Sequence, residues 1–100
     1  MRGLIDQALS YLSDQIVCEM KTLATNVTVS AGATAGVYTL PTKSGYKIGA
    51  VTPIVTGGYY GYYYPSITMQ NDKPTLIYFR NTHTSAHQNS FYVYMMYIKE

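Results

Sequence analysis

The sequence predicts a mainly β protein in which an N-terminal amphipathic helix precedes a small antiparallel β-sandwich of the jelly-roll kind. In the first quarter, apolar residues recur at helical spacing. From Thr25 onward the chain is rich in Thr, Val, Tyr and Ile, which fit a pleated surface. Short apolar runs alternate there with Gly, Pro and Asn turns, as in two-layer β folds. One hundred residues suit a single unit, which we divide into a helix (residues 1–24) and a β head (residues 25–100).

The predicted helix carries an apolar stripe at Ile5, Leu9, Leu12 and Ile16, spaced four, three and four residues apart. This is the alternation of a coiled-coil seam. A helix of about 20 residues is roughly 30 Å long, which is long for so small a sheet. We therefore expect these four residues to form an interface between chains in a trimer. Packing of the helix on its own sheet is the alternative.

Six strands are predicted after the helix. They cover residues 25–30, 37–40, 46–56, 59–70, 75–80 and 91–99. Gly57-Gly58 predicts a hairpin between the third and fourth strands, and Pro53 predicts an edge position or a bulge for the third. The last strand is apolar or aromatic on both faces, so we expect it to be central, or to lie between the core and a neighbouring subunit.

The small size of the head predicts self-association. A β unit of about 75 residues buries a modest share of its surface and is marginally stable alone. Cys18 is the only cysteine, so disulfides cannot supply the missing stability, and we expect its side chain to be a small buried hydrophobe. No structural-zinc pattern is present. Assembly of several copies is the remaining common device.

The charge pattern argues against nucleic acid and membrane partners. The net charge is +2, only 12% of residues are charged, and the basic residues are scattered rather than clustered. No apolar run approaches the roughly 20 residues of a membrane span. We therefore expect neither nucleic-acid binding nor membrane insertion.

The inventory of catalytic residues is thin. The chain has five acidic residues, and their spacing pairs none of them as an acid–base dyad. A nucleophile elbow and a phosphate-binding loop are both missing from the sequence. We therefore predict a protein that is not an enzyme and that uses no cofactor and no metal.

Tyrosine is the main functional signal. Twelve tyrosines occur without a single tryptophan. The densest group is Tyr59, Tyr60, Tyr62, Tyr63 and Tyr64. Tyrosine buries a large area, keeps a polar hydroxyl and is favoured at interfaces and paratopes. These five are candidate ligand-binding residues, and filling of the core and of subunit interfaces is the alternative.

The polar loop of residues 81–90 supplies three further candidate ligand-binding residues, His83, His87 and Asn89. Loops on rigid scaffolds often carry recognition. Solvent-facing histidines without a role are one alternative. A metal ion held at a threefold axis by one histidine from each chain is another.

Residues 38–41, 44–46 and 48–51 and the strand of residues 93–99 follow one another in a layout that is familiar from other proteins. On these segments the chain resembles the C-terminal β-domain of bacteriophage and prophage tail or fibre proteins. It implies a helical neck, a trimeric head, attachment to a host-surface saccharide or contact with other tail proteins, and a place in the virion after synthesis in the bacterial cytoplasm. Two other functions stay open: a purely structural assembly protein, and a carbohydrate-active enzyme, which the placement of the acids disfavours.

Overall fold

The computed structural model describes residues 15–100, which form six strands and one short 3-10 helix. In chain order they are β1 (Ile16–Val29), β2 (Thr34–Thr39), β3 (Tyr46–Gly57), the 3-10 helix (Tyr60–Tyr62), β4 (Tyr63–Gln70), β5 (Lys73–Asn81) and β6 (His87–Lys99). The prediction of a mainly β protein is confirmed. No helix within these residues is long and apolar enough to cross a membrane.

The strands form two antiparallel sheets that face each other. One sheet has the order β1-β6-β3 and the other β2-β5-β4. Phe79 of β5 stacks on Phe91 of β6 with 4.7 Å between ring centroids, so side chains from both sheets share one core. The buried apolar residues of this core are Val29, Ala35, Leu40, Tyr63, Ile77, Phe79, Phe91, Val93, Met95 and Tyr97.

Two topological predictions are confirmed and one is wrong. β6 is central in its sheet, as its two apolar faces predicted, and β3, which carries Pro53, is an edge strand. The predicted hairpin at Gly57-Gly58 does not form, because β3 and β4 belong to different sheets. The chain instead crosses from one sheet to the other through the 3-10 helix.

The predicted helix is wrong for residues 16–24. Residues 16–29 form β1, which pairs antiparallel with β6 from Ile16 opposite Ile98 to Val29 opposite His87. Long-range pairing overrides the local helical spacing here, and β-branched residues such as Ile16 and Val17 favour the strand. Ile16 is exposed on β1 rather than placed in a helical seam, and Cys18 is exposed rather than buried. Ile5, Leu9 and Leu12 lie outside the described residues.

The β1-β6-β3 sheet has an apolar side that points away from the core. Because side chains alternate along a strand, the core residues of β6 alternate with outward-facing ones, and their cross-strand partners face outward as well. We call these residues the outer face: Ile16, Cys18, Met20 and Thr22 of β1, Tyr92, Tyr94, Met96 and Ile98 of β6, and Lys47, Ala50, Thr52 and Ile54 of β3.

An ion-pair group lies on the opposite side of β1. The Glu19 carboxylate is 2.9 Å from Lys21 Nζ and 3.0 Å from Lys43 Nζ. The hydrogen bonds from Lys21 and then from Lys43 lower the pKa of Glu19. Lys43 also lies 5.5 Å from the centroid of the Tyr46 ring. This group ties the edge strand β1 to the segment that leads into β3.

Candidate functional site

The segment between β3 and β4 adopts a backbone that few residues tolerate. Gly57 has φ 107°, and a Cβ there would lie 2.8 Å from the carbonyl oxygen of Gln88, so only glycine fits. Tyr59 has φ 54°, which is uncommon for a non-glycine residue. The Tyr62 N–H donates to the Tyr59 carbonyl at 3.0 Å and closes the turn. Such strain persists where the surroundings fix it, often at functional sites.

Asn89 fixes this segment from beneath. Its buried amide Nδ2 donates to the carbonyls of Thr56 at 3.1 Å and Gly58 at 2.9 Å. Its Oδ1 accepts from the Tyr63 hydroxyl at 2.7 Å. Burial raises the pKa of Tyr63, which keeps this hydroxyl protonated as a donor. Tyr63 and Asn89, which were both predicted to bind a ligand, are therefore buried beneath this segment and support it.

Asn81 fixes the loop between β5 and β6 in a similar way. It is fully buried, and its Nδ2 donates to the carbonyls of Val29 at 3.1 Å and Ser85 at 3.0 Å. Its Oδ1 accepts from the His83 N–H at 2.9 Å, which makes a local side-chain turn of the kind asparagine favours. Sequence reasoning missed this residue. The signal was an asparagine two residues before the first loop histidine.

Hydrogen bonds join the 3-10 helix to the β5–β6 loop. The Thr82 N–H donates to the Tyr62 carbonyl at 2.9 Å, and the Thr82 hydroxyl donates to the same carbonyl. Two segments that are about 20 residues apart in sequence are thus held side by side at one end of the two sheets.

Four side chains meet at this end, and we call Tyr59, Tyr62, His83 and His87 the Tyr–His cluster. The Tyr59 ring lies 4.5 Å from His83 and 4.3 Å from His87 between centroids, at interplanar angles of 36° and 30°. Tyr62 contacts His83 edge-on at 4.6 Å. Tyr59 remains 55% exposed and Tyr62 48% exposed. The cluster therefore presents aromatic surface to solvent.

The hydrogen bonds within the cluster fix the roles of the two imidazoles. The Ser85 backbone N–H donates to His83 Nδ1 at 3.1 Å, so this nitrogen is an acceptor. His87 Nε2 lies 3.0 Å from the same atom and must donate to it. His83 Nδ1 thus accepts hydrogen bonds from both the Ser85 backbone N–H and His87 Nε2.

The remaining predicted residues are placed apart from the cluster. Tyr60 and Tyr64 are exposed, and Tyr64 lies on β4 opposite Arg80. Of the eight predicted ligand-binding residues, the structure brings four together, buries two beneath them and leaves these two outside. Sequence spacing could not make this division, because a 3-10 helix rather than an extended strand carries Tyr60 to Tyr62.

A cavity of about 480 Å³ lies at the opposite end of the sheets. It is lined by the end of β2 and the starts of β3 and β5, including Leu40, Tyr46, Ile48 and Pro74. Its charged lining residues are Lys47, Asp72, Lys73 and Glu100. No predicted site residue lies there. Within residues 15–100, no group of three or more His, Cys, Asp or Glu side chains is placed to hold a metal ion.

Comparison of the chain with protein-family models, with curated proteins and with solved structures gives no match. The site must therefore be interpreted from its own chemistry. Its exposed rings offer apolar planes, and its phenol hydroxyls and imidazole nitrogens offer hydrogen bonds at the rim of those planes.

The hydrogen bond from the Ser85 N–H to His83 Nδ1 leads us to expect a local effect when His83 is replaced. Replacing His83 with alanine removes the acceptor of the Ser85 N–H. We expect amide exchange at Ser85 to become about tenfold faster, while the free energy of unfolding changes by about 1 kcal/mol or less, because the loop is exposed. Hydrogen–deuterium exchange measures this, with Thr84→Ala, an exposed position in the same loop, as the control. Unchanged protection at Ser85 would contradict the assigned hydrogen bond.

Proposed function

We propose that this chain is a non-catalytic attachment module of the phage tail or fibre kind, which assembles as a trimer in the virion and binds a host cell-surface saccharide through the Tyr–His cluster. The observation that carries the proposal is the exposed cluster itself. Two segments that are separate in sequence hold its tyrosine rings 4.3 to 4.6 Å from its imidazoles, measured between ring centroids.

The chemistry of the cluster suits a sugar. A pyranose ring has C–H groups that pack on an aromatic plane and hydroxyls around its edge that need hydrogen-bond partners. Tyr59 and Tyr62 offer both a plane and a hydroxyl, and the two histidines add ring nitrogens beside them. Sites of this kind combine apolar area with a few placed polar groups.

The rigidity of the cluster supports binding as its role. The buried amides of Asn81 and Asn89 fix both loops through backbone hydrogen bonds. A surface that is already ordered loses little conformational entropy when it binds. The left-handed backbone at Tyr59 is a local cost that packing alone does not require, which favours a functional reason for the position of its ring.

We propose in addition that the two sheets form a jelly roll. β1 pairs with β6 in one sheet and β2 with β5 in the other, which is the winding expected of an antiparallel ribbon rolled into a jelly roll.

Tyr59→Ala tests the binding role. Removing the ring that packs on both histidines is expected to weaken saccharide binding about tenfold or more, as loss of a central aromatic residue does at interfaces (about 1.4 kcal/mol per tenfold). A glycan array of host-surface polysaccharides, followed by calorimetry, provides the measurement. Tyr64→Ala, an exposed tyrosine outside the cluster, is the matched control and should bind as the wild type does.

Equal loss of binding in both variants would contradict the assignment to the cluster. The second candidate, a purely structural assembly protein that contacts only other tail proteins, is favoured by the apolar outer face. It predicts that the wild-type protein binds no host-surface polysaccharide at all.

A further inference from the structure

We propose that the outer face of the β1-β6-β3 sheet is an interface between copies of this chain. This inference deepens the proposed function, because it names the surface through which the proposed oligomer assembles.

The distribution of charge on β1 is the first observation. Along this edge strand Glu19 and Lys21 are partly buried on the side of the second sheet, whereas Ile16, Cys18 and Met20 point outward and are exposed. Met20 is 62% exposed. In an antiparallel sheet with one solvated face, the polar and charged residues are expected on the solvated side and the apolar residues on the core side. The reversed pattern indicates that the outer face is covered in the assembled protein.

The other two strands continue this surface. Tyr94, Met96 and Ile98 of the central strand lie directly between partners on β1 and β3. Lys47, at one corner, is the only charged residue of the outer face. Gly49 lies at a bulge in β3, where a Cβ would approach Ile98 Cδ1 to 2.6 Å and Met96 Cε to 2.9 Å. The glycine lets these two side chains spread over β3 and makes the apolar surface continuous.

The size of the outer face fits a subunit interface. Four cross-strand rows on three strands cover about 25 by 14 Å, or roughly 350 Å² in projection, from strand spacings of about 4.8 Å and rises of about 3.4 Å per residue. Monomeric proteins rarely expose contiguous apolar patches larger than a few hundred Å², and the largest patch is often functional. The outer face matches the apolar centre of a standard interface of about 800 Å² per partner, in which a polar rim supplies the rest.

The shape of the outer face identifies a second copy as the partner. The large side chains of β6 form a ridge, and the smaller Ala50 and Thr52 of β3 form a shallower strip beside it. The ridge of one copy can pack in the strip of another, as side chains of two facing sheets interdigitate. The near absence of charge leaves no pattern that would select a partner of opposite charge. A second copy is complementary in both shape and polarity.

Light scattering of wild type, Met20→Lys and Val37→Lys tests the proposal. Val37 lies on β2, an edge strand of the other sheet, and is also 62% exposed, so it matches Met20 in exposure but lies outside the outer face. We expect the wild type and Val37→Lys to be oligomers of equal mass at micromolar concentration. Met20→Lys should have the mass of one chain, with an unchanged β-type circular dichroism spectrum.

Cys18 provides an independent readout, because it lies on the outer face and is exposed in a single chain. Its reaction with a maleimide should be at least tenfold slower in the wild-type oligomer than in Met20→Lys. Two results would overturn the proposal: a wild-type monomer, or a Met20→Lys oligomer with a reactive Cys18. A wild-type monomer with a protected Cys18 would mean that another part of the same chain covers the face. Saccharide binding is measured separately with Tyr59→Ala, so failure of this interface and failure of the attachment role are distinguishable.

Discussion

Replacing Phe91 with alanine is expected to lower the free energy of unfolding by about 4 kcal/mol, the typical cost of removing a buried phenylalanine ring. Phe91 is fully buried, and its ring lies 4.7 Å from Phe79 and 5.3 Å from Tyr63 between centroids. Both of these partners belong to the β2-β5-β4 sheet. The variant therefore removes the aromatic contacts of Phe91 with Phe79 and Tyr63, which join the two sheets.

Thermal and urea unfolding at fixed protein concentration measure this loss. For a domain of this length, 1 kcal/mol corresponds to about 4–8 °C, so the midpoint should fall by roughly 20 °C or more. Tyr64→Ala, which removes an exposed ring, should change the free energy by less than about 0.5 kcal/mol. A loss below about 1 kcal/mol for Phe91→Ala would contradict a core shared by the two sheets.

Replacing Asn89 with leucine is expected to cost about 3 kcal/mol. The substitution keeps the side-chain size but removes three hydrogen bonds, to the Thr56 and Gly58 carbonyls and from the Tyr63 hydroxyl. Each lost bond contributes about 0.5–1.5 kcal/mol, and a buried partner that is left unsatisfied costs more. Since Asn89 holds the segment that carries Tyr59, saccharide binding should weaken as well.

A double-mutant cycle with Tyr63→Phe isolates the buried hydrogen bond. Asn89→Leu leaves the Tyr63 hydroxyl unpaired, and Tyr63→Phe leaves Asn89 Oδ1 unpaired, so the double variant should be less destabilised than the sum of the two by about 1 kcal/mol or more. Gln88→Leu, an exposed neighbour on the same strand, is the control. Strict additivity would contradict a direct bond between the two side chains.

Local patterns predicted the strands better than their arrangement. The apolar or aromatic character of both faces along residues 91–99 identified the central strand, and Pro53 identified an edge, because both signals depend on the strand itself. The helix prediction was wrong for residues 16–24 because their apolar positions fit both a helical stripe and an alternating strand. The choice between the two depends on pairing with residues 91–98, which is not visible in a local window. The hairpin prediction at Gly57-Gly58 was wrong for a similar reason. The two glycines permit a tight turn, but they do not specify the sheet to which the next strand belongs.

The sequence indicated most of the residues of the candidate site but not their arrangement in space. The tyrosine run and the histidine loop were both identified as binding elements. The sequence did not indicate that Tyr63 turns inward to Asn89 while Tyr59 and Tyr62 turn toward the histidines. That division depends on the left-handed backbone at Gly57 and Tyr59 and on the 3-10 helix after them. Asn81 was overlooked because an asparagine two residues before a histidine indicates only a local turn, and its bonds to the carbonyls of Val29 and Ser85 have no sequence pattern of their own.

The most direct test of the attachment role is an NMR titration of the wild-type protein with the host-surface polysaccharide that binds best on the array, following the ring signals of tyrosine and histidine. We expect the signals of Tyr59, Tyr62, His83 and His87 to shift together and saturably, with those of Tyr38 in the core and Tyr46 at the distant cavity unchanged. Shifts confined to the cavity end, or no shift with any host-surface polysaccharide, would contradict the assignment of the Tyr–His cluster as the binding surface.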